Sequence, residues 1–478
     1  MKIFILNPPF VKNFCRSARW AAVSRGRVQR HPDWLLLLAG MLKKHGHQVE
    51  FIDGPVAGLN QSQVVERIAA SRPDMFVCHV TTPSIYNDLE YCRLIRDKLP
   101  QATTIVVGAH ASALPEETLD LSREKYDSSV DAAAVGEYEW SITEAAGDPK
   151  KLGEIRGLAT KSNGVFKLQF RPPEDVNELA FPAWDLIKPE DYRDAGKRFP
   201  FLTMINARGC IGSCIFCRDK HAQSPHNIRS RRVDLVVDEI KYDLELYPQL
   251  QEIMFETDNF GSVPEYTEEL CKAFISSGIS KRIPWSLNTR VDISLDLLPL
   301  MKEAGARMLM VGFEFGSQET LDAVNKGTTI EQARKFANRA HELGFIIHGC
   351  FMIGAPGENE ATAQKTIDFA KSLPCDTVQF SGLCPYPGTP LYRWAKEKDY
   401  LIPKDWTEWV SETYEQCTLL SYPDFPSEKI DYYIDKGLKE FYLRPSQMFK
   451  MLLNIRSFAD VRRKMFGLKN FLDYFKKS

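Results

Sequence analysis

Residues 201–220 read "FLTMINARGCIGSCIFCRDK". A short apolar run passes directly into a loop that carries Cys210, Cys214 and Cys217 at a C-x3-C-x2-C spacing. A buried strand that feeds a loop of chemistry-bearing residues is the pattern of the carboxyl rim of a parallel α/β sheet. Three thiolates is an odd number for a closed structural metal site, which takes four ligands. Soft sulfur donors select zinc or an iron–sulfur cluster. His221 extends the run to C-x3-C-x2-C-x3-H and would close a tetrahedral zinc site. The competing reading is a four-iron cluster on three cysteines, whose fourth iron stays open to a second ligand. Structural zinc sites belong to small modules with paired turns, so a position directly after a barrel strand favours the cluster.

The same strand–helix alternation continues outward. After "FLTMINARG" come "QEIMFETD", "IPWSLNTR", "ARMLMVGFEF", "FIIHGCFMIG" and "DTVQFSGL", separated by amphipathic segments such as "RVDLVVDEIKYDLELY" and "TIEQARKFANRAHELG". Six strands with following helices predict a partial (β/α)6 TIM-type barrel over 201–395, with its chemistry at the strands' carboxyl ends. Residues 1–150 hold an earlier series, "KIFILN", "QVEFID", "MFVCHV", "TTIVVGAH" and "VDAAAVGEYEW", again with helical periodicity between. That pattern predicts a Rossmann-like, doubly wound parallel sheet. Its strand-end loops are Asn7-Pro8-Pro9, Asp53-Gly54-Pro55, Thr81-Thr82-Pro83-Ser84, Gly108-Ala109-His110 and Gly136-Glu137. No G-x-G-x-x-G follows the first strand, which counts against a nicotinamide cofactor. Residues 151–200 read as a linker with a hairpin turning at Asn163-Gly164, and 396–478 as a helical carboxy-terminal region.

Bulk properties narrow the classes. A chain of 478 residues exceeds one ordinary core. The net charge of −2 excludes a general nucleic-acid binder. Eleven cysteines, an odd number in no regular framework, fit a reducing compartment. "MKIFILNPPF" lacks the form of a signal peptide, and "DWLLLLAGML" is too short to span a bilayer. The expected location is therefore cytoplasmic. Residues 441–478 interleave lysines and arginines with large apolar side chains. They read either as amphipathic helices capping the barrel or as a peripheral segment touching an anionic membrane, which would suit a lipid substrate.

Taken together, the loop and the strand-end motifs resemble the radical S-adenosylmethionine enzymes. In that family the CxxxCxxC loop follows the first barrel strand and has an aromatic residue before the last cysteine, here Phe216. The resemblance implies a 4Fe–4S cluster on Cys210, Cys214 and Cys217. It also implies S-adenosylmethionine contacts from "MFETDNFGS" (Glu256, Thr257 or Asp258), "NTR" (Asn288, Arg290), "GFEFGSQETL" (Glu314) and "GCFMIGAPGENE" (Gly354, Pro356). Within that superfamily the amino-terminal sheet is similar to a cobalamin-binding domain. The candidate contacts there are Asn7, Pro8, Asp53, Thr81, Thr82, Ser84, Gly108, His110, Gly136 and Glu137. The histidine of the D-x-H-x-x-G motif is missing after strand 1, so the expected cobalamin has neither its own base nor a protein histidine on cobalt. His31 reads as packing or capping at a helix start, and His110 as the nearest group to the corrin edge. The implied activity is methylation of an unactivated carbon, with radical rearrangement, cyclisation or oxidation of a lipid or tetrapyrrole-like substrate as the alternative. An electron donor such as flavodoxin or ferredoxin follows from the same resemblance. A non-catalytic cobalamin- or zinc-binding sensor is the reading from another class. No residue is singled out as a catalytic acid or base.

Overall fold

The computed structural model describes residues 1–219 and 227–453, the side chains of 451–453 excepted. The first sheet contains β1 (Lys2–Asn7), β2 (Gln48–Asp53), β3 (Met75–His79), β4 (Thr103–Val107), β5 (Ala132–Ala134), β6 (Leu158–Ser162) and β7 (Val165–Leu168). Their spatial order is β2-β1-β3-β4-β5-β6-β7. The first five are parallel, and β6 and β7 add antiparallel at one edge. The hairpin does turn at Asn163-Gly164, both with positive φ, as a two-residue loop of this twist requires. It extends the sheet, so the first unit reaches Leu168 and the connector proper is 169–200.

Alternation along the strands explains why both faces of this sheet are covered. Ile3 and Ile5 of β1 face the helices Asp33–Lys44 and Glu139–Gly147, in a core that runs on into the second unit. Phe4 and Leu6 face the opposite core with Val64, Ile68, Leu89 and Ile95. Helix starts carry their local signals. Asn60 with Gln63 and Thr329 with Gln332 form capping boxes, and Pro264 and Pro390 open their helices.

The second sheet runs β8 (Phe201–Met204), β9 (Glu252–Phe255), β10 (Trp285–Thr289), β11 (Ala306–Glu314), β12 (Ile346–Ile353) and β13 (Thr377–Gly382). It is parallel throughout and keeps chain order, as a right-handed β/α winding does. The expected six-stranded partial barrel is therefore present.

A connection not anticipated from the sequence joins the two units. Residues 8–32, between β1 and its helix, form a long insertion with a small ribbon, Phe14–Cys15 against Ala22–Val23. It packs with Trp409, Leu419 and Tyr392 in a third core. Structureless connections of this length in a compact domain are commonly functional. At the carboxy end, helix Ser427–Tyr442 lies on β13, and Arg444 and Gln447 bond the carbonyls of Lys371 and Asp376. The start of the tail thus caps the barrel, with Leu443, Met448 and Phe449 exposed. Residues 454–478, on which most of the membrane reading rests, lie outside the described residues, as does His221. Among the described residues no helix is long and apolar enough to cross a membrane.

Candidate active site

The cysteine loop leaves β8 through a two-residue ribbon, Ala207–Arg208, paired antiparallel with Arg229–Ser230. Its backbone is pinned to the barrel by Ile215 N–H to the Val324 carbonyl and by Leu391 N–H to the Ile215 carbonyl, each 3.1 Å. Cys214 is buried, and Cys210 and Cys217 are half-buried. Gly212 N–H lies 3.3 Å from Cys210 Sγ, and Arg290 Nη1 lies 3.6 Å from Cys214 Sγ. Hydrogen-bond donors aimed at sulfur are a means by which a protein tunes iron–sulfur ligands. Among the described residues no His, Cys, Asp and Glu side chains gather as a single-ion site. Each iron of a 4Fe–4S cluster takes one protein sulfur, and the loop offers three thiols with donors beside two of them. The residues fit the cluster.

The strand ends around this loop sort the expected S-adenosylmethionine contacts. Glu256 and Asp258 are half-buried and line the cleft above the loop, whereas Thr257, between them, is buried. The Thr257 hydroxyl is spent on the Asn206 side chain, which removes it from the candidates. Glu256 pairs with Arg30 at 2.9 Å and accepts from Asn288 Nδ2 at 3.0 Å. Asp258 accepts from Gly209 N–H at 3.2 Å, one residue before Cys210. Arg290 is committed to Asp292, the Lys326 carbonyl and the Cys214 sulfur, so it serves the cluster loop. Glu314 sits at φ +65° beside a register shift between β11 and β12, paired with Lys326 at 2.8 Å. Non-glycine backbone in that region carries strain and marks functional sites. Gly354 N–H donates to Glu358 and the Tyr422 hydroxyl donates to the Gly354 carbonyl, so the glycine that follows β12 is held from behind. Pro356 and Phe216 are half-buried.

Facing Arg208, Arg218 and Asp219, which flank the cysteine loop, the cleft is walled by the carboxyl edge of the first sheet and by the 8–32 insertion. Thr81, Thr82 and Gly108 line it, as expected for corrin contacts. Several of the other candidates lie behind that wall. The Ser84 hydroxyl is 2% exposed and held by Arg16, Asp88 and Thr81. His110 is fully buried against Trp406, with Nδ1 on Thr82. Asn7 and Asp53 are buried and bonded to each other at 2.7 Å. Gly136 N–H goes to Ser112, and Glu137 takes Arg229 and Arg208. Pro8 is absent from the lining. His31 is packed among Trp184, Tyr192 and Phe201 and caps no helix.

The sequence reading missed what the insertion and His79 supply. Arg19, Trp20 and Arg30 come from the insertion, and Trp34, Tyr386 and Trp409 complete an aromatic and cationic wall. The available signal was "RSARWAAVSRGRVQR", five arginines in fifteen residues with no helical period. Charge inside the cleft is balanced. Burial and the neighbouring Glu256 push the Asp33 carboxyl up to about 7, and burial beside Asp219 pushes Asp258 up to about 6. The polar lining and the glycine-edged strand ends suit a large polar cofactor seated between the two sheets.

Glu358 gives a pH test of the glycine-motif loop. Burial pushes its carboxyl up to about 7, although the N–H groups of Gly354 and Ala355 favour the ionised form. The folded value lies above the ordinary 4.5, so the folded chain keeps a proton that the unfolded chain releases. Stability from this group is complete below pH 4.5 and is lost as pH rises through 7. Glu358→Gln, which keeps the acceptor and removes the charge, should cut the stability loss between acidic and mildly alkaline buffer by roughly 1–3 kcal/mol. Denaturant midpoints at pH 5 and 8 measure it, and identical pH dependence in wild type and variant would refute it.

Comparison with known proteins agrees with this arrangement. Residues 204–370 match the model of the radical SAM superfamily, and residues 21–140 match the B12 binding domain. The chain is similar to an uncharacterized methyltransferase of Pyrococcus horikoshii, 28% identical over 91% of this chain and 93% of that protein. It is also similar to an anaerobic magnesium-protoporphyrin IX monomethyl ester cyclase of Rubrivivax gelatinosus, 28% identical over 76% of this chain and 66% of that protein. In fold it is similar to the radical S-adenosylmethionine methyltransferase TsrM of Kitasatospora setae, solved with cobalamin and a 4Fe–4S cluster. That match has a TM-score of 0.70 and 14% identity, and it covers 99% of both chains.

Proposed function

The chain belongs to the radical S-adenosylmethionine superfamily, in the branch that carries a B12 binding domain, and from that premise we propose that it methylates an unactivated carbon of a small molecule. The observation that carries this reading is that the two flanks of the three-cysteine loop, Arg208 and Arg218–Asp219, line one cleft together with Thr81, Thr82 and Gly108 at the carboxyl edge of the B12 binding domain. When bound, the cluster supplies the electron that cleaves S-adenosylmethionine to a 5′-deoxyadenosyl radical, and cobalamin supplies the methyl group.

The chain's own residues position these groups. Cys210, Cys214 and Cys217 anchor the cluster, and Gly212 and Arg290 donate toward its sulfurs. Glu256, oriented by Arg30 and Asn288, and Asp258 present carboxylates beside the loop, suited to the ammonium of S-adenosylmethionine. Glu314, fixed by Lys326, offers a further acceptor. Trp20, Trp34 and Trp409 supply the apolar part of the cleft wall, which restrains a radical from reacting with solvent. A reductant such as flavodoxin or ferredoxin completes the set of partners.

Anaerobically reconstituted enzyme should hold about four irons and four sulfides per chain. With reductant and a metabolite extract it should form 5′-deoxyadenosine and S-adenosylhomocysteine together. One zinc per chain and no iron would return the non-catalytic sensor. 5′-Deoxyadenosine without S-adenosylhomocysteine would replace methylation by the cyclisation or oxidation reading, which the likeness to the cyclase favours.

A further inference from the structure

We infer that His79 is the nitrogen this chain turns toward the cobalt of a bound corrinoid. This rests on the cofactor reading above. In the sheet order β2-β1-β3, the last residues of the three strands form a row across the carboxyl edge, Asp53, Asn7 and His79. Asn7 pairs in register with Asp53, and the β1–β3 register ends at Leu6 with Cys78, which leaves His79 beside Asn7. The winding reverses between β1 and β3, and that crevice is where sheets of this kind seat a ligand.

The side chains of the row are chained together. The Tyr192 hydroxyl donates to Asp53 Oδ2 at 2.6 Å, and Asn7 Nδ2 donates to Asp53 Oδ1 at 2.7 Å. With its amide nitrogen so used, Asn7 presents Oδ1 to His79 Nδ1 at 2.8 Å. An amide oxygen only accepts, so Nδ1 carries the proton and Nε2 keeps its lone pair. The Arg16 guanidinium donates to the His79 carbonyl at 2.8 Å and fixes the backbone beneath the ring. A metal-bound histidine has this arrangement, one nitrogen free and the other donated to an oxygen that fixes the ring. His79 is half-buried and lines the cleft. Gly108 leaves the room it needs, since a Cβ there would lie 2.7 Å from His79 Cδ2 and 2.5 Å from the Val80 carbonyl oxygen.

The other histidines of this unit are excluded by position. His45 and His47 lie at the opposite edge, bonded to the Met41 carbonyl and the amino terminus. His31 also borders the cleft, but it is 1% exposed, its ring lies against Trp184, Tyr192 and Phe201, and no acceptor fixes its tautomer; His110 is fully buried. The expectation of a cobalt without protein histidine follows from the missing D-x-H-x-x-G motif after β1. His79 reaches the same edge from β3.

The test uses the full-length protein loaded with cobinamide, a corrinoid without its own nucleotide base, and reduced to Co(II). The electron paramagnetic resonance spectrum of wild type should show three-line nitrogen splitting on its axial lines. His79→Ala should lose the splitting, and added imidazole should restore it. Asn7→Ala keeps the ring but removes its partner, and should weaken corrinoid binding about tenfold. An unsplit wild-type spectrum with cobinamide retained overturns the assignment and leaves the cofactor reading intact. Splitting that persists in His79→Ala assigns the nitrogen elsewhere and overturns it as well. Failure of wild type to retain any corrinoid overturns the cofactor reading itself. If His79→Ala retains no cobinamide, recovery with imidazole supports the inference. Absence of recovery, with Asn7→Ala binding like wild type, sinks it.

Discussion

Replacing any one of Cys210, Cys214 and Cys217 by alanine strips the chain of iron and sulfide and takes 5′-deoxyadenosine formation to background. The loop holds three anchors and no spare. The other eight cysteines cannot substitute, because Cys15, Cys78, Cys92, Cys271, Cys375 and Cys384 are buried, Cys350 lies within β12 and Cys417 is turned to the Glu408 carbonyl. Thiolate donors are also what makes the site selective for the cluster. His221→Ala should keep its iron, since three cysteines already complete the protein's share of the ligands. Iron and acid-labile sulfide assays on the four variants decide the matter. A cysteine variant with a full cluster, or a His221 variant as depleted as the cysteine variants, would return a zinc site.

The second large effect is on stability. Arg208, two residues before Cys210, is 2% exposed and paired with Glu139, which is fully buried. Its guanidinium also lies over the Trp34 ring, 4.1 Å from the centroid. The pair ties the start of the cluster loop to the first residue of helix Glu139–Gly147, across the two units. Glu139→Ala leaves Arg208 buried with only Glu137, 3.4 Å away, in compensation. Breaking a buried pair by removing one partner costs about 3–5 kcal/mol, and the remaining glutamate places this case near 3 kcal/mol. Thermal unfolding should therefore begin several degrees lower. Glu139→Leu combined with Arg208→Met should recover most of the loss, because no charge is then stranded. An unchanged unfolding temperature in Glu139→Ala would show that the latch contributes nothing.

Much of the molecule is legible in the chain because its signals are local. The six barrel strands and the five parallel strands announce themselves by apolar runs separated by helical periodicity, and each strand end by its polar loop. The Asn163-Gly164 turn specifies its hairpin because both positions need positive φ. The cysteine spacing names its metal chemistry because ligand type and count are properties of the residues themselves.

Tertiary structure alone decides which polar residues of those loops face the cleft. Glu256, Thr257 and Asp258 are equivalent on paper, and only the packing of Asn206 against Thr257 turns the middle one inward. Ser84, Asn7, Asp53 and Glu137 carry suitable chemistry but are consumed by partners up to 139 residues away. His79 escapes notice in sequence for the same reason. Its tautomer depends on Asn7 and Asp53, held 72 and 46 residues apart along the chain and adjacent only through the crossover of the sheet. Local period specifies elements, because a strand or helix needs only its own residues. The partner that spends or frees a side chain is chosen by the winding of the whole chain, and no spacing within a segment encodes it.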